Sequence, residues 1–345
     1  MLHVGLDLSR CRVDVQVLDP DGVLLATTKA SPDEAGLRAL AERIGAGEPV
    51  RAAIESMTGA RFVRDVLAGA GWEVLIADAA QTKRLAPLAC KTDRIDAWVL
   101  AELSRRDLVP AIWLPPLRVR EERERARFRL HLVKHRQMLK ARIHSTLMTF
   151  GVPVKTADLF GVTGRAQLAR LRLPEPWAGD VAASLLLIDT LDGHIGQCEQ
   201  ALRALGADHR YLPRLMSAPG IGWVLGYTIA AEIGDITRFR SPAKLVGYTG
   251  LCPRVYQSGQ RDRRGPISKA GPRYLRWALI EAATHACAHP AYRDRYQRTR
   301  ARLGPQRGTP VARVELARDL AHAIWHMLTH DQDFAPAGAN SDLAA

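Results

Sequence analysis

The stretch Lys91-Thr92-Asp93-Arg94-Ile95-Asp96-Ala97 decides how the chain is read. Its two carboxylates stand three positions apart and so fall on one face of a helix. The continuation, Trp98-Val99-Leu100-Ala101-Glu102-Leu103, has the apolar spacing of an amphipathic helix. Asp93 and Asp96 are therefore expected to point together at one place. Two readings are open for such a pair. It is a solvated helix start, with Asp93 complementing the helix dipole, or it is half of a site for a divalent cation.

The residues upstream separate the two readings. Leu2–Leu8 and Arg12–Leu18 alternate like strands, and Gly22–Thr28 follows as a third across the turn Asp19-Pro20-Asp21-Gly22. Ser31-Pro32-Asp33-Glu34 opens a helix with an N-cap, a proline at its first position and acids in its first turn. Val50–Ile54 and Trp72–Ala77 read as buried strands, with a helix through Phe62, Val66 and Leu67 between them. This order predicts an α/β domain with a mixed sheet. Asp7 falls near the end of the first strand and Glu55 directly follows the fourth, where ligands collect in α/β sheets. A helix opening at Asp93 can pack against the same edge. Four acids repel one another too strongly to gather without cations. Asp7, Glu55, Asp93 and Asp96 are thus the expected ligands of divalent cations, in the arrangement of ribonuclease H-like nucleases.

Composition bounds the partners. At 345 residues the chain has material for two or three domains, and 47% hydrophobic with 25% charged residues describes a globular protein. The net charge of +13 suits a polyanion, of which nucleic acid is the commonest and a membrane surface the alternative. No run of about 18 apolar residues is present, and Asp7 arrives too early for a signal peptide, so no membrane partner is expected. Cys11, Cys90, Cys198, Cys252 and Cys287 are scattered, odd in number and form no CxxC pair. They read as buried thiols in a reducing compartment, so a cytoplasmic protein without structural zinc is expected.

Beyond the proline-rich break at Pro110–Pro116 lies an arginine-rich stretch with an apolar seam through Phe128, Leu132, Met138 and Leu139. It predicts a long basic helix in a coiled coil, with Arg123, Arg127, Lys134 and Arg136 as candidate contacts to a nucleic-acid backbone. Further helices are expected over 156–206, with Leu185–Leu191 among the buried turns. Ser217-Ala218-Pro219-Gly220-Ile221-Gly222 precedes the apolar helix Trp223–Ile233. Such a turn is either a helix-hairpin-helix, in which Gly220 and Gly222 admit a phosphate, or an ordinary tight connection. Residues 250–273 are rich in glycine and arginine and read as a loop, with Arg254, Arg261, Arg263, Arg264, Lys269 and Arg273 as a phosphate clamp. Ser258 lies on that loop. No histidine neighbours it, and on residues alone it reads as a turn serine before it reads as a nucleophile. A last helix is expected through Leu316, Leu320, Ile324 and Leu328.

The order Asp7, Glu55, Asp93-x-x-Asp96 resembles the DEDD transposases of bacterial insertion sequences, also called bridge-RNA-guided recombinases. The second half carries the likeness too, in Ser217-Ala-Pro-Gly-Ile-Gly, Ala231-Glu-Ile-Gly-Asp-Ile, Gly250-Leu-Cys-Pro, Gln257-Ser-Gly and Ile267-Ser-Lys-Ala-Gly. The resemblance implies an α/β plus α chain in three parts. These are a RuvC-like (ribonuclease H-like) metal-binding domain over 1–112, a basic helical coiled-coil region over 113–206, and a mainly helical transposase domain over 207–345. It implies that Asp7, Glu55, Asp93 and Asp96 hold magnesium and that Ser258 is a catalytic nucleophile. The implied reaction forms a covalent serine–DNA intermediate and exchanges strands between donor and target DNA, guided by a structured bridge RNA. The implied assembly is a homo-oligomer, from dimer to tetramer. The rival readings are a hydrolytic RuvC-like junction-resolving endonuclease, and a non-catalytic nucleic-acid-binding protein.

Overall fold

The computed structural model describes residues 1–45, 47–86, 92–258 and 261–336, so Cys90, Lys91 and Gly259 lie outside the described residues. The chain divides into two compact units, Met1–Leu114 and Pro115–Ala345.

The first unit opens with β1 (Leu2–Leu8), β2 (Val13–Leu18) and β3 (Leu24–Ala30), then α1 (Glu34–Ile44) and β4 (Val50–Glu55). It continues with α2 (Ala60–Gly69), β5 (Glu73–Ala77), α3 (Ala79–Leu85) and α4 (Asp93–Arg105). The sheet order is β3-β2-β1-β4-β5. β1 is antiparallel to β2 and parallel to β4, so the sheet is mixed, as expected. Strand alternation sorts the side chains. Val4, Leu6, Val13, Val15, Val17, Val50, Ala52 and Ile54 face α1 and α2, which bury Leu37, Leu40, Val63 and Leu67 against them. The helix start differs from the expected one. Asp33 rather than Ser31 is the N-cap of α1, its carboxylate accepting from the Gly36 amide at 2.7 Å while the Ser31 hydroxyl donates to Asp33.

The opposite face of the sheet carries α4. Gly5 decides how close that helix comes. A Cβ on Gly5 would lie 1.7 Å from the Ala97 carbonyl oxygen and 2.6 Å from the Ala101 amide nitrogen. With no side chain there, the helix backbone rests directly on β1. Ala53 and Ala77 keep the surface low beside it, against Leu100. Farther along, Ser104 donates to the Arg51 carbonyl and lies 3.2 Å from His3 Nδ1.

In the second unit α5 (Leu117–Thr149) runs for 33 residues, about 50 Å at 1.5 Å per residue. After α6 (Val162–Ala169) the chain returns along it as α7 (Trp177–Gly206). Arg129 pairs with Glu199, and one heptad on, Arg136 pairs with Asp192, which fixes the two helices as antiparallel. Leu185–Leu191 are not buried turns as expected. Ile188 is fully buried, but Leu186 and Leu187 are 69% and 52% exposed, because the helix offers only one stripe to α5.

The rest of this unit is α8 (Leu212–Ser217), α9 (Trp223–Ile233), α10 (Pro242–Thr249), the ribbon β6 (Pro253–Ser258) and β7 (Arg261–Ile267), then α11 (Arg273–Ala286), α12 (Pro290–Leu303) and α13 (Pro305–His330). Its core gathers α9, α11 and α13, and Leu316, Leu320, Ile324 and Leu328 supply the expected seam of α13. The segment expected to be a loop is a two-stranded antiparallel ribbon. Both its faces are exposed, so no apolar alternation announces it. The four described cysteines are free, and none is buried as expected; Cys11 is exposed and the others are partly covered. Among the described residues, no helix is long and apolar enough to cross a membrane.

Candidate active site

Asp7 is next to last in β1 and Glu55 last in the neighbouring β4, and both lie on the sheet face that α4 covers, by the same alternation that places Gly5 there. α4 begins at Asp93, with the Thr92 hydroxyl accepting from the Ile95 amide, so Asp93 and Asp96 share its first turn. The four acids meet electrostatically. The Asp7 carboxyl is pushed up to about 6, first by burial and then by the charges of Asp93, Asp96, Glu55 and Asp14.

Sequence reasoning missed two residues of this site. Asp14 on β2 stands directly opposite Asp7 in the ladder and is buried. Arg12 bridges the two elements. Its Nε donates to Asp14 at 2.6 Å and its Nη2 to Asp93 at 2.7 Å. The only signal was an acid on the inner face of a strand with a cation two positions before it. Carboxylate oxygens are the ligands hard divalent cations take, and a half-buried carboxyl raised by like charges is what such a cation relieves. The donor chemistry therefore fits a hard divalent cation. As the side chains stand, no three His, Cys, Asp or Glu among the described residues are close enough together to hold a metal ion.

Ser258 lies in the other unit, at the last position of β6, exposed and opposite Arg261 in the ladder. Below it the two strands of the ribbon are joined at their base, next to the end of α10. The Ser268 amide donates to the Cys252 carbonyl at 2.7 Å and the Lys269 amide to the Gly250 carbonyl at 3.0 Å. Gly250 has a φ of 70°, and a Cβ there would meet the Ala270 carbonyl at 2.4 Å. Arg254, Arg261, Arg263, Arg264 and Lys269 are all exposed, and Arg273 donates to the Tyr274 hydroxyl.

The three arginine candidates on α5 are engaged within the fold, while Lys134 is exposed. Arg127 grips the fully buried Glu232 of α9 with two bonds, 2.7 and 2.9 Å, and Arg123 donates to the Ala231 and Glu232 carbonyls. Arg136 pairs with Asp192, and the Lys134 ammonium lies 5.6 Å from the centre of the Tyr274 ring. The partners of these three arginines are too distant in sequence for a local reading to find. Gly220 is likewise explained by packing, since a Cβ there would strike the Ala282 carbonyl of α11 at 2.3 Å; Gly222 has open space.

A mixed five-stranded sheet carrying this set of acids is consistent with a ribonuclease H-like DEDD domain, and comparison with known proteins gives the class as transposase. Residues 4–151 match a DEDD model described as "Transposase", and residues 212–297 match the "Transposase IS116/IS110/IS902 family". The chain belongs to the IS110 family of insertion-sequence transposases, whose general activity is the cutting and rejoining of DNA. It is 25% identical to the transposase for insertion sequence element IS1328 of Yersinia enterocolitica, over 96% of this chain and 98% of that one. It is 27% identical to a probable family 20 transposase of Pseudomonas aeruginosa, over 71% of this chain and 74% of its relative. The transposase for insertion sequence element IS1111A of Coxiella burnetii is also 27% identical, over 71% and 68%.

Proposed function

We propose that this transposase cuts and rejoins DNA through a covalent bond to Ser258, with Asp7, Glu55, Asp93 and Asp96 as the ligands of Mg2+ or Mn2+. The observation that carries the acid half is the Asp7 carboxyl, raised to about 6 in part by three acids from two other elements. When bound, the ion supplies positive charge to phosphoryl oxygens. The serine half is supported by exposure. Ser258 ends a strand, exposed, with Arg261 opposite it. In the step proposed, Ser258 Oγ bonds to phosphorus while the bond from phosphorus to one deoxyribose oxygen breaks. The serine proton passes to solvent and the leaving oxygen takes one up. One phosphodiester replaces another, so the joint can be resealed on a different strand. Arg254, Arg261, Arg263, Arg264 and Lys269 are the candidates to neutralise charge in that step, and Gly222, with open space at the start of α9, is the remaining phosphate candidate of its turn. We further propose a structured bridge RNA as the guide to donor and target DNA, and a homo-oligomer of two to four copies as the working form.

The test is a protein–DNA adduct that survives denaturation. It is expected with Mg2+ and the native chain and absent for Ser258→Ala. Equal adduct from Ser258→Ala would overturn the serine assignment. Free DNA ends from that variant would leave the hydrolytic, junction-resolving reading in its place.

A further inference from the structure

The ribbon of β6 and β7 has two chemically different faces. In the ladder Ser258 stands opposite Arg261 and Tyr256 opposite Arg263, while Gln257 stands opposite Asp262 and Val255 opposite Arg264. Directly opposed residues share a face, and successive ones alternate. Ser258, Tyr256, Arg261 and Arg263 therefore share one face. The glycine on β7 fixes a fifth member, because a Cβ on Gly265 would lie 3.5 Å from the Tyr256 ring and 3.7 Å from the Arg254 Cβ. On the other face Arg264 pairs with Asp262 at 3.2 Å. Asp262 is the single acid of either strand, and it points away from the serine. The serine face thus combines three cations, no carboxylate and one aromatic ring that is 61% exposed.

An aromatic ring kept in water on a basic surface does not serve packing. Tyr256 sits outside the core that gathers the helices of its unit. Its surroundings match what unpaired nucleotides select, namely cations for the backbone and a flat ring for a base. We propose that Tyr256 is a stacking platform for one unpaired nucleobase next to the phosphate that Ser258 addresses. The separation suits this, since two residues along a strand span about 6.8 Å, and a chain with a phosphate at Ser258 passes over the ring. The ligand class is a nucleic-acid strand with at least one base out of its helix, rather than intact duplex. The inference takes from the functional reading only that a nucleic-acid strand lies along this face; it does not need Ser258 to be the nucleophile.

The experiment uses the full chain and a single-stranded deoxyoligonucleotide carrying one 2-aminopurine, whose fluorescence falls when the base stacks. Native protein is expected to quench it, and the same probe annealed to its complement is expected to be quenched less. Tyr256→Ala should abolish the quench and weaken binding about five- to a hundredfold, the worth of one base on an aromatic ring. Tyr256→Phe should keep both within about twofold, and Val255→Ala, on the opposite face, should change neither. A Tyr256→Ala protein that still quenches and binds like the native one overturns the proposal. So does a Tyr256→Phe protein that fails like the alanine variant, which would assign the role to the hydroxyl. Ser258→Ala separates the two claims. Intact quenching without adduct supports both, whereas intact adduct with quenching lost in Tyr256→Ala removes the serine assignment and keeps the platform.

Discussion

The acid face of the first unit and the serine ribbon of the second are built in opposite ways. Two of the acids stand on a packed sheet and two on the helix whose backbone rests on β1, and the Asp7 carboxyl feels four other carboxylates. The ribbon is exposed along most of both strands and is joined at its base by main-chain bonds next to the end of α10. Chemistry that needs several like charges at fixed spacing is set on rigid elements, because only packing can hold side chains against their own repulsion. Chemistry that must reach a bulky, charged polymer is set on an exposed element, where approach costs no unfolding. The two regions should therefore respond differently to substitution.

The largest effect is expected where packing is tightest. Gly5→Ala places a methyl group into the α4 backbone and should destabilise the first unit by about 3 kcal/mol or more, read as a lower urea midpoint. If the midpoint stays within experimental error, α4 is not seated by Gly5 and the rigid half of the contrast fails. Next comes the charge itself. Asp7→Asn removes a carboxylate that its neighbours repel, so in chelator at pH 8 the variant should be more stable than the native chain by about 1–2 kcal/mol. A loss of stability would show that the acids are held by favourable contacts rather than against repulsion. The smallest effect on folding belongs to the ribbon. Arg263→Ala should leave the urea midpoint within about 0.5 kcal/mol while weakening binding to an oligonucleotide and lowering its salt dependence by about one unit of slope. A ribbon substitution that unfolds the protein would erase the distinction.

The same contrast governs what could be read from sequence. β1 and β4 were legible because alternation with a buried face leaves a period of two, and the positions of the four acids on their elements were legible because a strand end and a helix start declare themselves without reference to distant residues. α13 was legible from its seam of Leu316, Leu320, Ile324 and Leu328. The ribbon was not, since strands with two wet faces carry no such period. Nor was the employment of Arg123, Arg127 and Arg136. A basic helix looks like a polyanion surface until Glu232 and Asp192 arrive from far along the chain to hold it. Asp14 escaped for a related reason, since it declares itself only once the ladder sets it opposite Asp7.

Gly5 touches no substrate in any reading of this site, yet its missing side chain sets the height at which α4 lies over the acids. A survey of every substitution along β1, scored by transposition alone, would mark position 5 as intolerant as position 7. The two would look like neighbours in a catalytic motif. Measured for folding as well, they are expected to part company: one variant loses the scaffold, while the other keeps it and, under the proposed function, loses the chemistry.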